Sequence, residues 1–135
     1  MKDILADTSV WIDFFNGIKS AETDFLATYI MNDYVVYLCP TIIQEILQGF
    51  VYDTDFKKAK ELLLTFPILN DNPVEMSIAA ADLYRSIRKK GATIRKSNDC
   101  LIAAYCIKHK IPVLHKNRDF RTMSKNSALK IVAIR

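Results

Sequence analysis

The chain has 135 residues, 50% of them hydrophobic and 25% charged, with only three Gly and four Pro. This composition predicts one globular domain over residues 1–135 and excludes disordered and collagen-like chains. No apolar stretch approaches the roughly 18 residues that a membrane span needs. Residues 1–84 carry five Lys and Arg against thirteen Asp and Glu, whereas residues 85–135 carry fourteen against two. The basic half therefore favours a phosphate-bearing partner such as a nucleic acid, unless the acidic half of the chain neutralises it.

The first half of the chain alternates short apolar runs with helical spacing. Asp7, Thr8 and Ser9 are residue types that begin helices, and they follow a short apolar run. Spacing and caps predict, in chain order, a buried strand over residues 4–6, helices over 10–16 and 21–31, a strand over 35–38, a helix that Pro40 introduces and that runs to Gln48, a helix over 55–65 and an edge segment over 66–69.

The second half continues the same alternation. It predicts a helix over residues 73–90, a helix that Ser97 or Asn98 caps and that is buried nearly all round, a strand over 112–114, a helix over 118–124 and a final strand over 129–133. Short apolar strands that alternate with helices are typical of an α/β sandwich around a mainly parallel central sheet.

The cysteines and the first residues bear on the cellular compartment. Cys39, Cys100 and Cys106 form no CxxC pair, and their odd number argues against a disulfide framework. The first three residues open onto no apolar signal region. We therefore expect reduced cysteines in the core and a cytoplasmic protein.

Three carboxylates stand where one predicted element gives way to the next. Asp7 ends the first strand, and the basic half contains only two acids, Asp99 at the start of a helix and Asp119 just beyond a strand. The carboxyl ends of parallel strands form the crevice in which such sheets bind ligands, so the three can converge there. Carboxylates that meet in this way suit Mg²⁺ or Mn²⁺, because these hard cations prefer oxygen ligands.

Each of these acids also has an ordinary explanation. Asp7 is a good helix cap, Asp99 complements the dipole of its helix, and Asp119 can pair with a neighbouring arginine at the surface. Glu45 has less support, because the helical wheel places it opposite the buried isoleucines on a solvated side. His109 and His115 lack zinc-site spacing, so we expect them at the surface or as supports of the site.

Four segments together resemble the PIN-domain ribonucleases, and most closely the VapC toxins of type II toxin–antitoxin modules. Each segment alone is a weak signal, but their order and spacing fit along nearly the whole chain. The segments are LADTSVWID over residues 5–13, TIIQEILQG over 41–49, NDCLIAA over 98–104 and HKNRDF over 115–120.

The resemblance implies a fold, an activity and partners. The fold would be a three-layer α/β/α sandwich with a central mainly parallel sheet, and the activity a Mg²⁺- or Mn²⁺-dependent endoribonuclease with a catalytic, metal-binding cluster at Asp7, Glu45, Asp99 and Asp119. The family also implies a cognate antitoxin and a homodimer. Where many relatives have aspartate, this chain has Asn117, and we expect the site to hold one metal firmly and a second only with the phosphate present.

Several further residues are candidates for supporting roles. Thr8 and Ser9 offer hydroxyl contacts beside the cluster. The cations that flank the two basic-half acids are the expected contacts to the RNA backbone: Arg95, Lys96, Lys116, Arg118 and Arg121. Aromatic residues of the first third belong either to the core or to a dimer interface: Trp11, Phe14, Phe15, Phe25 and Tyr29.

Other functions compete with the nuclease hypothesis. A catalytically weak RNA-binding or regulatory module would use the same basic half, and Asn117 gives that alternative some support. A receiver domain needs an acidic pair after its first strand, and a haloacid-dehalogenase-type phosphatase needs a D-x-D motif. The segment Asp7-Thr8-Ser9 has neither feature.

Overall fold

The computed structural model describes residues 2–134. Within this range the chain forms three short strands and seven helices. In chain order they are β1 (Ile4–Ala6), α1 (Thr8–Phe15), α2 (Ala21–Met31), β2 (Val36–Tyr37), α3 (Pro40–Leu47), α4 (Asp53–Leu63), α5 (Pro73–Lys89), α6 (Ser97–His109), β3 (Val113–Leu114) and α7 (Arg118–Asn126).

The sheet is entirely parallel, with β1 between β2 and β3. Single parallel bridges extend it on both sides, from Leu38 to Ile68 beyond β2 and from Val113 to Ile131 beyond β3. All three residues of β1 are buried, as expected for a parallel strand with both faces covered by helices. The predicted α/β sandwich with a central parallel sheet is confirmed.

Helix α6 is the most deeply buried helix element. Its buried residues include Asp99 and six uncharged side chains that follow it, namely Cys100, Ile102, Ala103, Ala104, Tyr105 and Cys106. The prediction of a helix buried nearly all round is therefore confirmed. Cys39, Cys100 and Cys106 are free and buried, as the sequence predicted.

Several elements differ from the sequence prediction, among them α4, which spans Asp53–Leu63 and not residues 55–65. Helix α1 begins at Thr8, because the Asp7 side chain caps it and draws Ser9 into the first turn. Helix α7 runs on to Asn126. The predicted final strand over residues 129–133 is wrong, since only Ile131 forms a bridge.

The remaining hydrogen bonds of that last segment join it to β3. The N–H of Val113 donates to the carbonyl of Lys130, and the N–H of Val132 donates to the carbonyl of Val113. These two bonds align the segment with β3 without making a regular strand. The edge segment predicted over residues 66–69 does bridge to the sheet, at Ile68.

The aromatic residues of the first third divide between core and partly buried positions. Trp11 is fully buried and Tyr29 nearly so, so for these two the interface alternative is wrong. Phe14, Phe15 and Phe25 are half-buried against the same core. Across residues 2–134, no helix is both long and apolar enough to cross a membrane.

Candidate active site

Three carboxylates are buried at the end of the sheet where β1 and β3 stop. Of the charged residues within 2–134, only Asp7, Asp99 and Asp119 are buried, with exposed fractions of 2%, 4% and 2%. The backbone N–H of Asp7 donates to the carbonyl of Leu114 at 2.9 Å, which fixes Asp7 beside the end of β3. Burying a carboxylate is costly unless it is paired or hydrogen-bonded, so each of the three is expected to have polar partners.

The first part of the cluster is supported by hydroxyl groups. Asp7 Oδ2 accepts a hydrogen bond from Ser9 Oγ at 2.7 Å and another from the Ser9 N–H at 3.2 Å. Thr8 Oγ1 donates to Glu45 Oε1 at 2.7 Å. This bond brings Glu45 of α3 to the start of α1, so the half-buried Glu45 joins the cluster although helical periodicity placed it on the solvated side.

The second part of the cluster is joined by the side-chain amide of Asn117. Asn117 Nδ2 donates to Asp99 Oδ2 at 2.9 Å, and Asn117 Oδ1 accepts the N–H of Asp119 at 2.7 Å. The second bond caps α7. Asn117 thus holds the N-terminal ends of α6 and α7 in a fixed relation.

Asp119 binds the backbone just before α6. Its Oδ1 accepts the N–H of Arg95 at 3.1 Å, and its Oδ2 accepts the N–H of Lys96 at 3.0 Å. The guanidinium Nε of Arg95 lies 3.7 Å from Oδ1. The surface pairing that the sequence allowed for Asp119 is therefore replaced by a buried attachment to the loop that leads into α6.

These surroundings move the pKa values of the acids in different directions. Burial raises the pKa of Asp99 to about 7; the Asn117 bond lowers it, while Asp119 and Asp7 raise it. Burial also raises the pKa of Asp7, against the lowering effect of its Ser9 bonds, and the charge of Glu45 adds to the rise. Burial also tends to raise the pKa of Asp119, but the hydrogen bonds from two backbone N–H groups and the charge of Arg95 hold this pKa below its usual range.

The chemistry of this donor set can be compared with the needs of a divalent cation. Within residues 2–134, no group of three or more His, Cys, Asp or Glu side chains is arranged to hold a metal ion. However, burial raises the pKa values of Asp7 and Asp99, and the charges of neighbouring acids add to the rise, Glu45 for Asp7, and Asp7 and Asp119 for Asp99. A hard divalent ion with carboxylate and water ligands fits such a site.

The five predicted RNA-contacting cations surround this site unevenly. Arg95, Lys96, Arg118 and Arg121 are exposed on the loop before α6 and on α7. Lys116 instead forms an ion pair with Asp13 of α1. Sequence reasoning missed Asp13, although its position four residues after Ser9 places both on one face of α1.

The two histidines lie in different surroundings. His115 is half-buried, and its Nδ1 accepts the backbone N–H of Asn117 at 3.1 Å; burial and Arg121 lower its pKa, which favours the neutral ring that can accept this bond. His109 lies at the end of α6, where it contacts Asp71 at 2.7 Å. His115 therefore supports the loop of the site, and His109 lies at the surface, as the sequence allowed.

Comparison with known proteins identifies relatives of this sequence. Residues 4–126 match the sequence model of the PIN domain. The chain is 32% identical over 134 residues to the VapC ribonuclease Mb1587 of Mycobacterium bovis, a match that spans 98% of this chain and 99% of the relative. Ribonuclease VapC11 of Mycobacterium tuberculosis matches with the same identity and the same coverage.

Several solved structures have a fold similar to that of this chain. VapBC2 from Rickettsia felis, bound to a DNA fragment from its promoter, superposes with a TM-score of 0.74 at 14% identity, over 96% of this chain and 97% of that chain. DNA-bound VapBC from Salmonella typhimurium gives a TM-score of 0.72 at 12% identity, over 98% of each chain. At these low sequence identities, the superpositions show similarity of the fold alone.

Proposed function

Because this chain belongs to the PIN-domain family of VapC ribonucleases, we propose that it is a metal-dependent endoribonuclease and the toxin of a type II toxin–antitoxin module. The observation that carries the proposal is the set of three buried carboxylates, Asp7, Asp99 and Asp119, gathered with Glu45 at one end of a parallel sheet. A structural role alone does not explain why so much negative charge is kept out of water.

Asp7 and Asp99 are the proposed ligands of a Mg²⁺ or Mn²⁺ ion, directly or through its water molecules. Glu45 and Asp119 would complete the set or orient the attacking water. When bound, the ion lowers the pKa of a water molecule and stabilises negative charge on the phosphoryl oxygens.

The chain's own residues hold this arrangement in place. Thr8 restrains Glu45 through its hydroxyl group, and Asn117 restrains Asp99 through its amide. Burial raises the pKa of Asp99 to about 7, so a divalent cation held by Asp99 would compete with a proton near neutral pH. The exposed cations Arg95, Lys96, Lys116, Arg118 and Arg121 would bind phosphates of the RNA backbone and fix its position.

The proposal includes partners and a location. The VapBC relatives support a cognate antitoxin that binds this chain, and we also propose a homodimer and a cytoplasmic location, where RNA substrates and reduced cysteines coexist. Exposed apolar side chains that a protein partner could cover lie just before α4, with Val51 86% and Tyr52 70% exposed.

Cleavage of a mixed cellular RNA pool tests the proposal. The wild-type protein and the Asp7→Asn variant are each assayed with Mg²⁺, with Mn²⁺ and with EDTA. We expect discrete fragments that require metal and a loss of at least about 100-fold in Asp7→Asn. Asp53→Asn, an exposed substitution in the first turn of α4, is the matched control and should cleave normally. Full activity in a folded Asp7→Asn protein, or cleavage that persists in EDTA, would refute the proposal.

One observation favours a second candidate, an RNA-binding module with little catalytic power. Asn117 carries no charge, and its Nδ2 is already committed to Asp99, so the site has one negative charge fewer than an aspartate would give. RNA binding that weakens with salt, without metal-dependent turnover, would identify this alternative.

A further inference from the structure

A second concave surface lies beside the acidic cluster, between α5 and α6. This groove has a volume of about 390 Å³, and it is distinct from the space around Asp7 and Glu45. We call it the α5–α6 groove. Its lining includes the small side chains Ala80 and Ala81, the partly buried Leu101 and Tyr84, and the polar Arg88 and Asn98.

The groove combines an aromatic ring with cations. Tyr84 is half-buried, and the guanidinium of Arg88 lies over its ring, 5.6 Å from the centroid. A guanidinium stacked in this way still presents its N–H groups at the edge, where they can bind a phosphate. Arg85 also lines the groove, and no Asp or Glu is among the described residues that do.

The groove also adjoins the proposed active site along the chain. Asn98 and Cys100 line it, and both are direct neighbours of Asp99 in the first turn of α6. The cluster and the groove therefore share the start of one helix. We expect an RNA strand with a phosphate at Asp99 to pass the start of this helix, beside the groove.

We propose that the α5–α6 groove binds an unpaired nucleobase of the RNA strand, stacked on Tyr84, with Arg88 on the adjacent phosphate and Asn98 at the edge of the base. The inference rests on the proposed ribonuclease function, because it places the base next to the bond to be cleaved. Proteins that read single-stranded RNA commonly stack bases on aromatic rings and bind base edges with side-chain amides. The groove has an apolar floor, an aromatic ring and cations, and no acid among the described residues lines it. This combination suits a nucleobase with its phosphate better than it suits a basic peptide or a purely apolar one.

Binding to a short RNA in EDTA tests the proposal without cleavage. The probes are eight-residue oligoribonucleotides that carry the fluorescent base 2-aminopurine at one position each, titrated with full-length protein. We expect wild-type protein to quench the fluorescence at one position or a few adjacent ones. Tyr84→Phe should retain quenching and affinity, whereas Tyr84→Leu should bind roughly tenfold more weakly and lose the quenching.

Two matched substitutions outside the groove control for general effects. Phe56→Leu removes an exposed aromatic ring on α4 and should bind the probes as the wild type does. Arg88→Ala should lower the slope of log affinity against log salt by roughly 0.7, as expected for one lost phosphate contact on a single strand. Lys57→Ala, on α4, should leave the slope unchanged.

The outcomes separate this inference from the ribonuclease proposal. If Tyr84→Leu folds, binds the probes as tightly as wild type and quenches them equally, the groove assignment is overturned even where the wild-type protein cleaves RNA. If Tyr84→Leu instead changes only the oligomeric state, measured by light scattering, the occupant is a second copy of the chain and the inference is wrong. Loss of quenching in a protein that never cleaves RNA would support the base site and refute only the catalysis.

Discussion

The two parts of the acidic cluster are held by different kinds of donor. Asp7 and Glu45, from the first part of the chain, accept hydrogen bonds chiefly from the hydroxyl groups of Ser9 and Thr8. Asp99 and Asp119, from the last part, accept theirs from amide N–H groups. A hydroxyl group rotates and can also accept a bond, whereas an amide N–H can only donate.

This difference gives the acids different functions in the folded chain. Two fixed N–H donors keep Asp119 ionised and attach α7 to the loop before α6, so Asp119 has a structural role whatever its part in catalysis. Asp7 caps α1 and is otherwise free to respond to a cation. The comparison therefore predicts that variants in the two parts separate stability from activity.

The largest effect on stability is expected for Asp119→Ala. The change leaves the N–H groups of Arg95 and Lys96 without their buried partner, which should lower the free energy of unfolding by about 3 kcal/mol. Urea unfolding monitored by circular dichroism measures it. In the hydroxyl-supported part, Asp7→Ala removes a helix cap and should cost only about 1 kcal/mol. Equal losses at the two positions would contradict the comparison.

A smaller effect is expected for Asn117→Asp. Aspartate still caps α7, but it replaces a donor to Asp99 with a like charge, and we expect metal-free protein to lose about 2 kcal/mol of stability. Added Mg²⁺ should restore more stability to this variant than to wild type, measured as the shift in thermal midpoint between EDTA and Mg²⁺. Asn117→Ser, which keeps a cap without a charge, should show no enhanced response to Mg²⁺.

The smallest effect is a gradual pH dependence of the metal-free protein. The pKa of Asp99 is about 7 in the folded chain, above its ordinary value of 3.8, so the folded state binds more protons between these values. The free energy of unfolding should therefore fall as pH rises towards about 7 and level off above it. Asp119, with its lowered pKa, acts oppositely and contributes stability that is lost only in more acidic solution.

Urea unfolding in EDTA at several values between about pH 5 and pH 8 checks this slope. Asp99→Asn removes the titrating group and should flatten the profile. An unchanged profile in that variant would assign the pH dependence to another group.

The positions of the three aspartates could be predicted from the sequence. Asp7 and Asp119 follow short apolar strands, and parallel strands end at the same edge of a sheet, so their meeting follows from topology. The burial of α6, which carries Asp99, followed from its nearly uncharged composition. Each of these inferences depends on local pattern and the general geometry of α/β sheets.

The supports of the acids could not be predicted in the same way. Periodicity describes how a helix meets the core, and it says nothing of the hydroxyl group that Thr8 brings to Glu45 across 37 residues. The donors to Asp119 are backbone N–H groups of a loop, which carry no side-chain signature. Here the family resemblance supplied Glu45, and only the structure supplied Arg95 and Lys96 as backbone donors.

The order of the strands has a consequence for protein synthesis. β1 is the central strand, and it is synthesised before its neighbour β3 and the helix that carries Asp119, which come more than a hundred residues later. Because a chain is made from its amino end, every nascent chain shorter than this has one side of β1 unpaired and an incomplete acidic cluster. The acidic cluster is therefore completed only when the last part of the chain, with β3 and α7, has been made.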